Sequence, residues 1–154
     1  MRRRSAFIAL GSNLGDRETN LWNAIEAVDD VSTTWLKRVS RFCDTEPVGI
    51  ENQPRFLNAV MKVGTVLSAR ELLESLLEVE RRLGRVRDGP RFGPRIIDLD
   101  LLVYGRTIID EPGLMVPHPR LHERRFVLEP LVEIAPRLVV PGLGRVRDLL
   151  SKLD

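Results

Sequence analysis

Two aspartates, Asp98 and Asp100, stand in an otherwise apolar run, Ile96-Ile-Asp-Leu-Asp-Leu-Leu-Val-Tyr104. Residues 96–104 read as a β-strand, because aliphatic, β-branched and aromatic residues dominate and turn residues flank them. Side chains alternate faces along a strand, so Ile96, Asp98, Asp100, Leu102 and Tyr104 are expected on one side. The two acids then lie about 6.5–7 Å apart at Cα. Carboxylates set into an apolar line need a partner charge or a metal, and these two can converge on one hard cation or a close pair. Arginines stand just upstream. Arg81, Arg82, Arg85, Arg87, Arg91 and Arg95 fall within 15 positions. Arg81 and Arg82 suit the end of a helix dipole. Arg85, Arg87, Arg91 and Arg95 lie in a Gly/Pro segment with few acids, where like charges repel unless an anion joins them. Guanidinium groups grip phosphate bidentately, so a polyphosphate clamp beside two metal-binding acids is the chemistry this spacing offers. Two carboxylates plus phosphate oxygens are a common way to hold Mg²⁺. His118, fixed between two prolines and close in sequence to Arg120, Arg124 and Arg125, is a further candidate phosphate contact. Phosphoryl-type transfer asks a protein mainly for positioning and charge neutralisation.

The elements that must position these groups follow from periodicity and turn chemistry. A short apolar strand over 5–10 ends in Gly11-Ser-Asn-Leu-Gly-Asp16, with Asp16 the expected cap of a helix over 16–29 carrying Leu21, Trp22, Ile25 and Val28. Gly11 to Gly15 lacks the residues of a phosphate-binding loop, so it reads as a tight strand-to-helix turn. A second strand is expected over 33–43, a polar Pro/Gly-marked loop over 44–55, and a third strand over 56–66. In that third strand Phe56, Asn58, Val60 and Lys62 share one face, and Asn58 is the odd polar residue. Ser68-Ala-Arg-Glu71 is a capping box opening a helix whose stripe is Leu72, Leu73, Leu76, Val79 and Leu83, with Gly84 closing it. After the acidic strand come an extension over 107–109, the turn Val116-Pro-His-Pro119, a helical stretch over 120–134, and a brief strand and helix over 137–154. The order β-α-β-β-α-β predicts an α+β, ferredoxin-like (split βαβ) antiparallel sheet with both helices on one face and a C-terminal helical and strand extension. The opposite face is left for a site beneath the long loops.

The whole chain, 1–154, is expected to form a single domain, long enough for a real core. Its formal charge of +2 gives no global argument for a nucleic-acid coat. Of its 24 basic residues 21 are Arg, which codon bias explains in bulk, so their placement is more informative than their number. Cysteine and histidine spacing for zinc is missing, and no Ser/His/Asp arrangement stands out. The single Cys43 fits a reducing compartment, the apolar run behind the N-terminal arginines is too short for a signal peptide, and no stretch approaches the ~18 apolar residues of a membrane span. A cytoplasmic monomer acting on small molecules, with no nucleic-acid or membrane partner, is expected. Two other classes remain open on the residues alone: another Mg²⁺-dependent nucleotidyl or phosphoryl transferase, and an RNA-binding ferredoxin-like module. The latter lacks an RNP1-type aromatic motif, and two strand acids would repel phosphate without metal.

Gly11-Ser-Asn-Leu-Gly15, Gln53-Pro-Arg-Phe-Leu-Asn-Ala59, Gly84-Arg-Val-Arg87, Arg91-Phe-Gly-Pro-Arg-Ile-Ile-Asp-Leu-Asp-Leu101, Val116-Pro-His-Pro119 and Glu133-Ile-Ala-Pro136 together resemble the 6-hydroxymethyl-7,8-dihydropterin pyrophosphokinases of folate biosynthesis, nearly end to end. The resemblance implies transfer of the pyrophosphoryl group of ATP to the pterin hydroxymethyl oxygen, with release of AMP. It implies that Asp98 and Asp100 hold two Mg²⁺ ions, and that Arg85, Arg87 and Arg95 serve catalysis. Around ATP it implies Glu80, Arg85, Arg87, Arg91, Phe92, Arg95, His118 and Arg124. For the pterin it implies Phe56 and Phe126 as stacking rings, Asn58 on the amide edge, and Thr45 and Val48 along the pocket. It also implies that the 44–55 and 84–95 loops close over ATP and then the pterin. Phe92 stands where well-known members carry Trp, and Leu77, Met115 and Pro119 replace polar or aromatic residues on the nucleotide side.

Overall fold

The computed structural model describes residues 2–46, 54–84 and 96–153. Its frame is a strand with apolar side chains on both faces, β1 (Arg4–Ser12), paired antiparallel with β4 (Phe56–Thr65) on one side and β5 (Asp98–Tyr104) on the other. β2 (Thr34–Val39) lies along the far half of β4, so the sheet order is β2-β4-β1-β5. β3 (Cys43–Thr45) pairs with the near half of β4, from Phe56 to Asn58.

The strand expected over 33–43 is therefore two strands. Ser40 divides them: its backbone N–H donates to the Val60 carbonyl at 2.9 Å, and its hydroxyl accepts the Val60 N–H at 2.9 Å. A side-chain oxygen thus replaces a backbone carbonyl in the ladder, and the chain bulges before pairing resumes.

Helix α1 (Arg17–Asp29) starts as expected, with the Asp16 carboxylate accepting from the Thr19 N–H at 3.1 Å. Helix α2 (Ala69–Arg82) opens on the reciprocal Ser68/Glu71 capping box, and Gly84, at φ +96°, follows its end. The two helices cover one face of the sheet, burying Leu21, Ile25, Val28, Leu72, Leu76 and Val79 against Ile8, Leu10, Met61 and Leu101. Trp22 departs from the expected stripe. It is half exposed and packs at a tilt on Phe42, ring centroids 5.1 Å apart. Close packing also explains one glycine: a Cβ on Gly64 would lie 2.4 Å from the Trp35 ring, so β2 carries its indole directly over β4 backbone.

The opposite face is not left bare. Helix α3 (Arg125–Ile134) and helix α4 (Val146–Ser151) take most of it, through a second core of Phe7, Val60, Leu102, Val103, Leu121, Val127, Leu128, Leu131 and Val146. Both faces of β1, β4 and β5 are apolar over much of their length, so both must be covered. Among the described residues, the end of the sheet carrying Gly11, Asn58 and Asp98 is what these helices leave for a site. Between β5 and α3 run a hairpin, β6 (Ile109–Glu111) with β7 (Leu114–Val116), and a short 3₁₀ turn at Leu121–Glu123. A small pair, β8 (Val139–Val140) with β9 (Gly144–Arg145), precedes α4.

The expected alternation along the acidic strand breaks once. Phe7 pairs Val103 while Ile8 pairs Leu101, so Leu102 is a bulge residue. Leu102 and Val103 both enter the second core, and Tyr104 turns to the first, where its hydroxyl donates to the Leu67 carbonyl. Asp98, Asp100 and Leu102 keep one face; Tyr104 does not share it. Among the described residues no helix is long and apolar enough to cross a membrane.

Candidate active site

Strand register assembles the site. Gly11 of β1 pairs Asn58 of β4 on one side and Asp98 of β5 on the other, so these three form a row across the sheet. Ala9 forms the next row, between Val60 and Asp100. Paired residues point to the same face, so the two acids and Asn58 look out together from the end that α3 leaves open. Gly11 has a steric reason to be glycine. A Cβ there would stand 3.0 Å from Asn58 Oδ1 and 3.6 Å from the Phe56 ring, so both side chains lean over its backbone. Asn58 is buried, and its Nδ2 donates to the Thr45 hydroxyl. Asn58 Oδ1 is left over the Gly11 floor as an acceptor. Phe126 reaches the same face from the start of α3, packed at the edge of the second core, with the Arg124 guanidinium 5.6 Å from its ring centroid.

Beside the row opens a cleft of about 760 Å³ lined by Glu80, Asp98, Asp100 and His118, by apolar Leu73, Leu77, Leu99, Leu101 and Leu114, and by Asp110, Glu111, Met115 and Pro119. Leu77, Met115 and Pro119, the three departures from the expected nucleotide-side residues, all lie on its wall. β5 is the edge of the sheet path, and its outward backbone is satisfied by site residues. The Leu99 N–H donates to Glu80 Oε2 at 2.7 Å, and the Leu102 carbonyl accepts the His118 N–H at 2.8 Å. Glu80, expected as a nucleotide contact, lines the cleft, yet it is only 1% exposed and grips the strand between the two acids.

His118 follows the cis Val116–Pro117 bond. Its Nδ1 accepts the Arg120 N–H at 3.1 Å, which leaves Nε2–H as the donor of a neutral ring. Burial, seconded by Arg124 and then opposed by Asp98, pushes its pKa down to about 4. The unfolded chain therefore binds the extra proton first on acidification. The contribution of this ring to stability is complete above about pH 6.5 and is lost as pH falls towards 4. Urea midpoints should decline across that window, and His118→Gln should flatten the slope there. Asp44, pulled down to about 2 by hydrogen bonds from Arg17 and Arg55, acts only at lower pH, so the two are separable. An unchanged slope in His118→Gln would remove the buried neutral imidazole from the account.

The structure thus brings Asp98, Asp100, Glu80 and His118 to one cleft, places the Thr45–Phe56 pair beside Asn58 at the other end of the adjoining row, and sets Arg124 against Phe126. Val48, Arg85, Arg87, Arg91, Phe92 and Arg95 lie outside the described residues. Sequence reasoning missed the β6–β7 hairpin and with it Asp110 and Glu111 on the cleft wall. Pro112-Gly113 between two apolar pairs was the available signal, Gly113 taking φ +77°.

The match to a family model for 7,8-dihydro-6-hydroxymethylpterin-pyrophosphokinase (HPPK) spans residues 7–136. A 2-amino-4-hydroxy-6-hydroxymethyldihydropteridine pyrophosphokinase of Bacillus subtilis is 46% identical over 133 residues, covering 86% of this chain and 79% of that protein. The same-named protein of Haemophilus influenzae is 42% identical over 148 residues, covering 96% and 92%. The solved Plasmodium falciparum HPPK-DHPS, wild type with pterin and p-hydroxybenzoate, superposes with a TM-score of 0.69 at 14% identity, over 98% of this chain and 43% of that one. That likeness carries the fold, and the chain spans less than half of that longer protein. On the family match and these identities, the chain belongs to the 7,8-dihydro-6-hydroxymethylpterin-pyrophosphokinase family.

Proposed function

We propose that the Asn58–Gly11–Asp98 row is the track on which the family's reaction runs here, the transfer of a pyrophosphoryl group from ATP to the hydroxymethyl group of 6-hydroxymethyl-7,8-dihydropterin in folate biosynthesis. The register carries this reading. Neighbouring strands are about 4.8 Å apart, so Asn58 and Asp98 are separated by roughly 9.6 Å across a side-chain-free floor. A flat bicyclic pterin laid over Gly11, its amide and amino edge at Asn58 Oδ1, presents its hydroxymethyl oxygen at Asp98. Phe56 and Phe126 supply apolar faces for the heterocycle, and Thr45 holds the Asn58 amide in its reading orientation; Val48 is assigned to the same substrate by the family resemblance.

The triphosphate then belongs in the cleft on the β5 side. Asp98 and Asp100 supply the hard oxygen donors that two Mg²⁺ ions accept alongside phosphate oxygens and water. When bound, the ions neutralise charge developing around the β-phosphorus. His118, with Nε2–H outward, donates to a phosphate oxygen, and Arg124 adds charge beside it. By the family resemblance, Arg85, Arg87, Arg91 and Arg95 are assigned the remaining phosphate-binding cations, and Phe92 a nucleotide contact. The pterin oxygen forms its bond to the β-phosphorus as the bond from that phosphorus to the α-bridging oxygen breaks. AMP leaves, and the hydroxyl proton passes to solvent. The chain works as one cytoplasmic domain, its lone thiol Cys43 fitting a reducing compartment.

Incubation with Mg-ATP and hydroxymethyl-dihydropterin should yield AMP in one-to-one ratio with pterin diphosphate. Formation of ADP, or no turnover, would overturn the assignment.

A further inference from the structure

At the far end of the proposed pterin row, an ion network ties down both chain ends that bracket residues 47–53. Arg17, the first residue of α1, donates from both terminal nitrogens to the Asp44 carboxylate, at 3.1 and 2.9 Å, and also to the Arg55 carbonyl at 3.0 Å. Arg55 donates from Nε to Asp44 Oδ1 at 3.0 Å, from a terminal nitrogen to the Asp44 carbonyl at 3.3 Å, and to the Glu46 carboxylate. One position earlier, the Pro54 carbonyl accepts from the buried Asn13 amide at 3.1 Å. Asp44 is the hub, one carboxylate gripped by two guanidiniums from elements far apart in sequence. The same hydrogen bonds hold its pKa at about 2.

Two facts argue that the network serves geometry more than stability. First, it is exposed: Arg17, Asp44 and Arg55 side chains are 29, 46 and 49% accessible. Exposed ion pairs contribute little to folding, while a bidentate guanidinium–carboxylate contact fixes position and angle well. Second, its neighbours in sequence are the pocket. Thr45 lies between Asp44 and Glu46, and Phe56 follows Arg55. Thr45 pairs with Phe56 across the strands and holds the Asn58 amide. β3 is only three residues long, too short to set that geometry by its own ladder.

We propose that Arg17, Asp44 and Arg55 form a clasp that presets the pterin pocket, so that Thr45, Phe56 and Asn58 stand in their binding positions before substrate arrives. These are positioning residues; none of them touches the reacting atoms. The proposal rests on the pterin reading of the Asn58–Gly11 row. Ordering a site in advance removes a term that binding must otherwise overcome, so loss of the clasp falls on pterin affinity.

The test titrates full-length protein with 6-hydroxymethyl-7,8-dihydropterin and measures kcat, KM for each substrate, and Tm. Asp44→Ala and Arg17→Ala should each weaken pterin about tenfold, leave kcat and the KM for ATP within about twofold, and move Tm by no more than about 3 °C. The double variant should be no worse than Asp44→Ala, because both act through one hub. Asp44→Glu should recover part of the loss. Asn58→Ala, run alongside, must lose pterin affinity. If it does and Asp44→Ala does not, the clasp is wrong and the pocket stands. If Asn58→Ala binds pterin normally, the pocket reading fails and the clasp with it. A drop in Tm with parallel rises in both KM values would assign Asp44 a general structural role and overturn the proposal.

Discussion

Alanine at Asp98 or at Asp100 should abolish AMP formation while the protein still binds 6-hydroxymethyl-7,8-dihydropterin. The expected loss is about a thousandfold or more, since metal-held charge stabilisation is worth several kcal/mol in such transfers. The geometry separates the two readouts. Both acids sit on β5, at the cleft end of their rows, whereas Asn58, Thr45 and Phe56 sit on β4 and β3. Removing a carboxylate from β5 leaves Asn58 and the Gly11 floor in place. Pterin titration without nucleotide should therefore change by less than about threefold. A pterin affinity lost in step with turnover would make the acids structural members of the pocket.

Replacement of Glu80 should separate a strand anchor from a nucleotide contact. Its carboxylate is buried and accepts the Leu99 N–H, and Leu99 lies between the two acids on a strand that, among the described residues, is the edge of the sheet path. Glu80→Ala leaves that N–H without this acceptor and opens a gap between α2 and β5. The expected destabilisation is about 3 kcal/mol, which lowers Tm by about 6–12 °C in a chain of this size. Turnover should fall more than tenfold as the acids lose their fixed spacing. Glu80→Gln keeps a carbonyl oxygen for the N–H at nearly the same volume, so it should retain more stability than Glu80→Ala and stay within about threefold of full activity. If Gln is as damaging as Ala while Tm is unchanged, the charge itself serves the nucleotide.

Asp98, Asp100 and Glu80 also mark what is legible in the sequence and what is not. Asp98 and Asp100 were legible because a strand's period of two is local: it puts both acids on one face whatever surrounds them. The caps at Asp16 and Ser68 were legible for the same reason, their partners lying three residues away. Glu80 was named for the nucleotide side, but its grip on β5 could not be read. On the helix it is one acid beside a leucine stripe, and only the docking of α2 on the β5 edge gives its oxygen a backbone partner 19 residues on. Tyr104 was assigned to the wrong face because the bulge at Leu102 depends on how β5 meets Phe7 and Ile8 of β1. The coverage of the second sheet face by α3 and α4 was missed because helix docking is a long-range choice.

By itself, then, the sequence determined the family, the α+β order of elements, the helix caps, and the residue types a pyrophosphoryl transfer needs. The tertiary structure decided the Asn58–Gly11–Asp98 row, the anchoring of β5 by Glu80 and His118, the hairpin wall with Asp110 and Glu111, and the Asp44 clasp. The physical reason is one of range. Periodicity and capping are settled by neighbours a few residues away, whereas register, bulges and docking are settled by whichever distant strand or helix satisfies a buried face and an open edge.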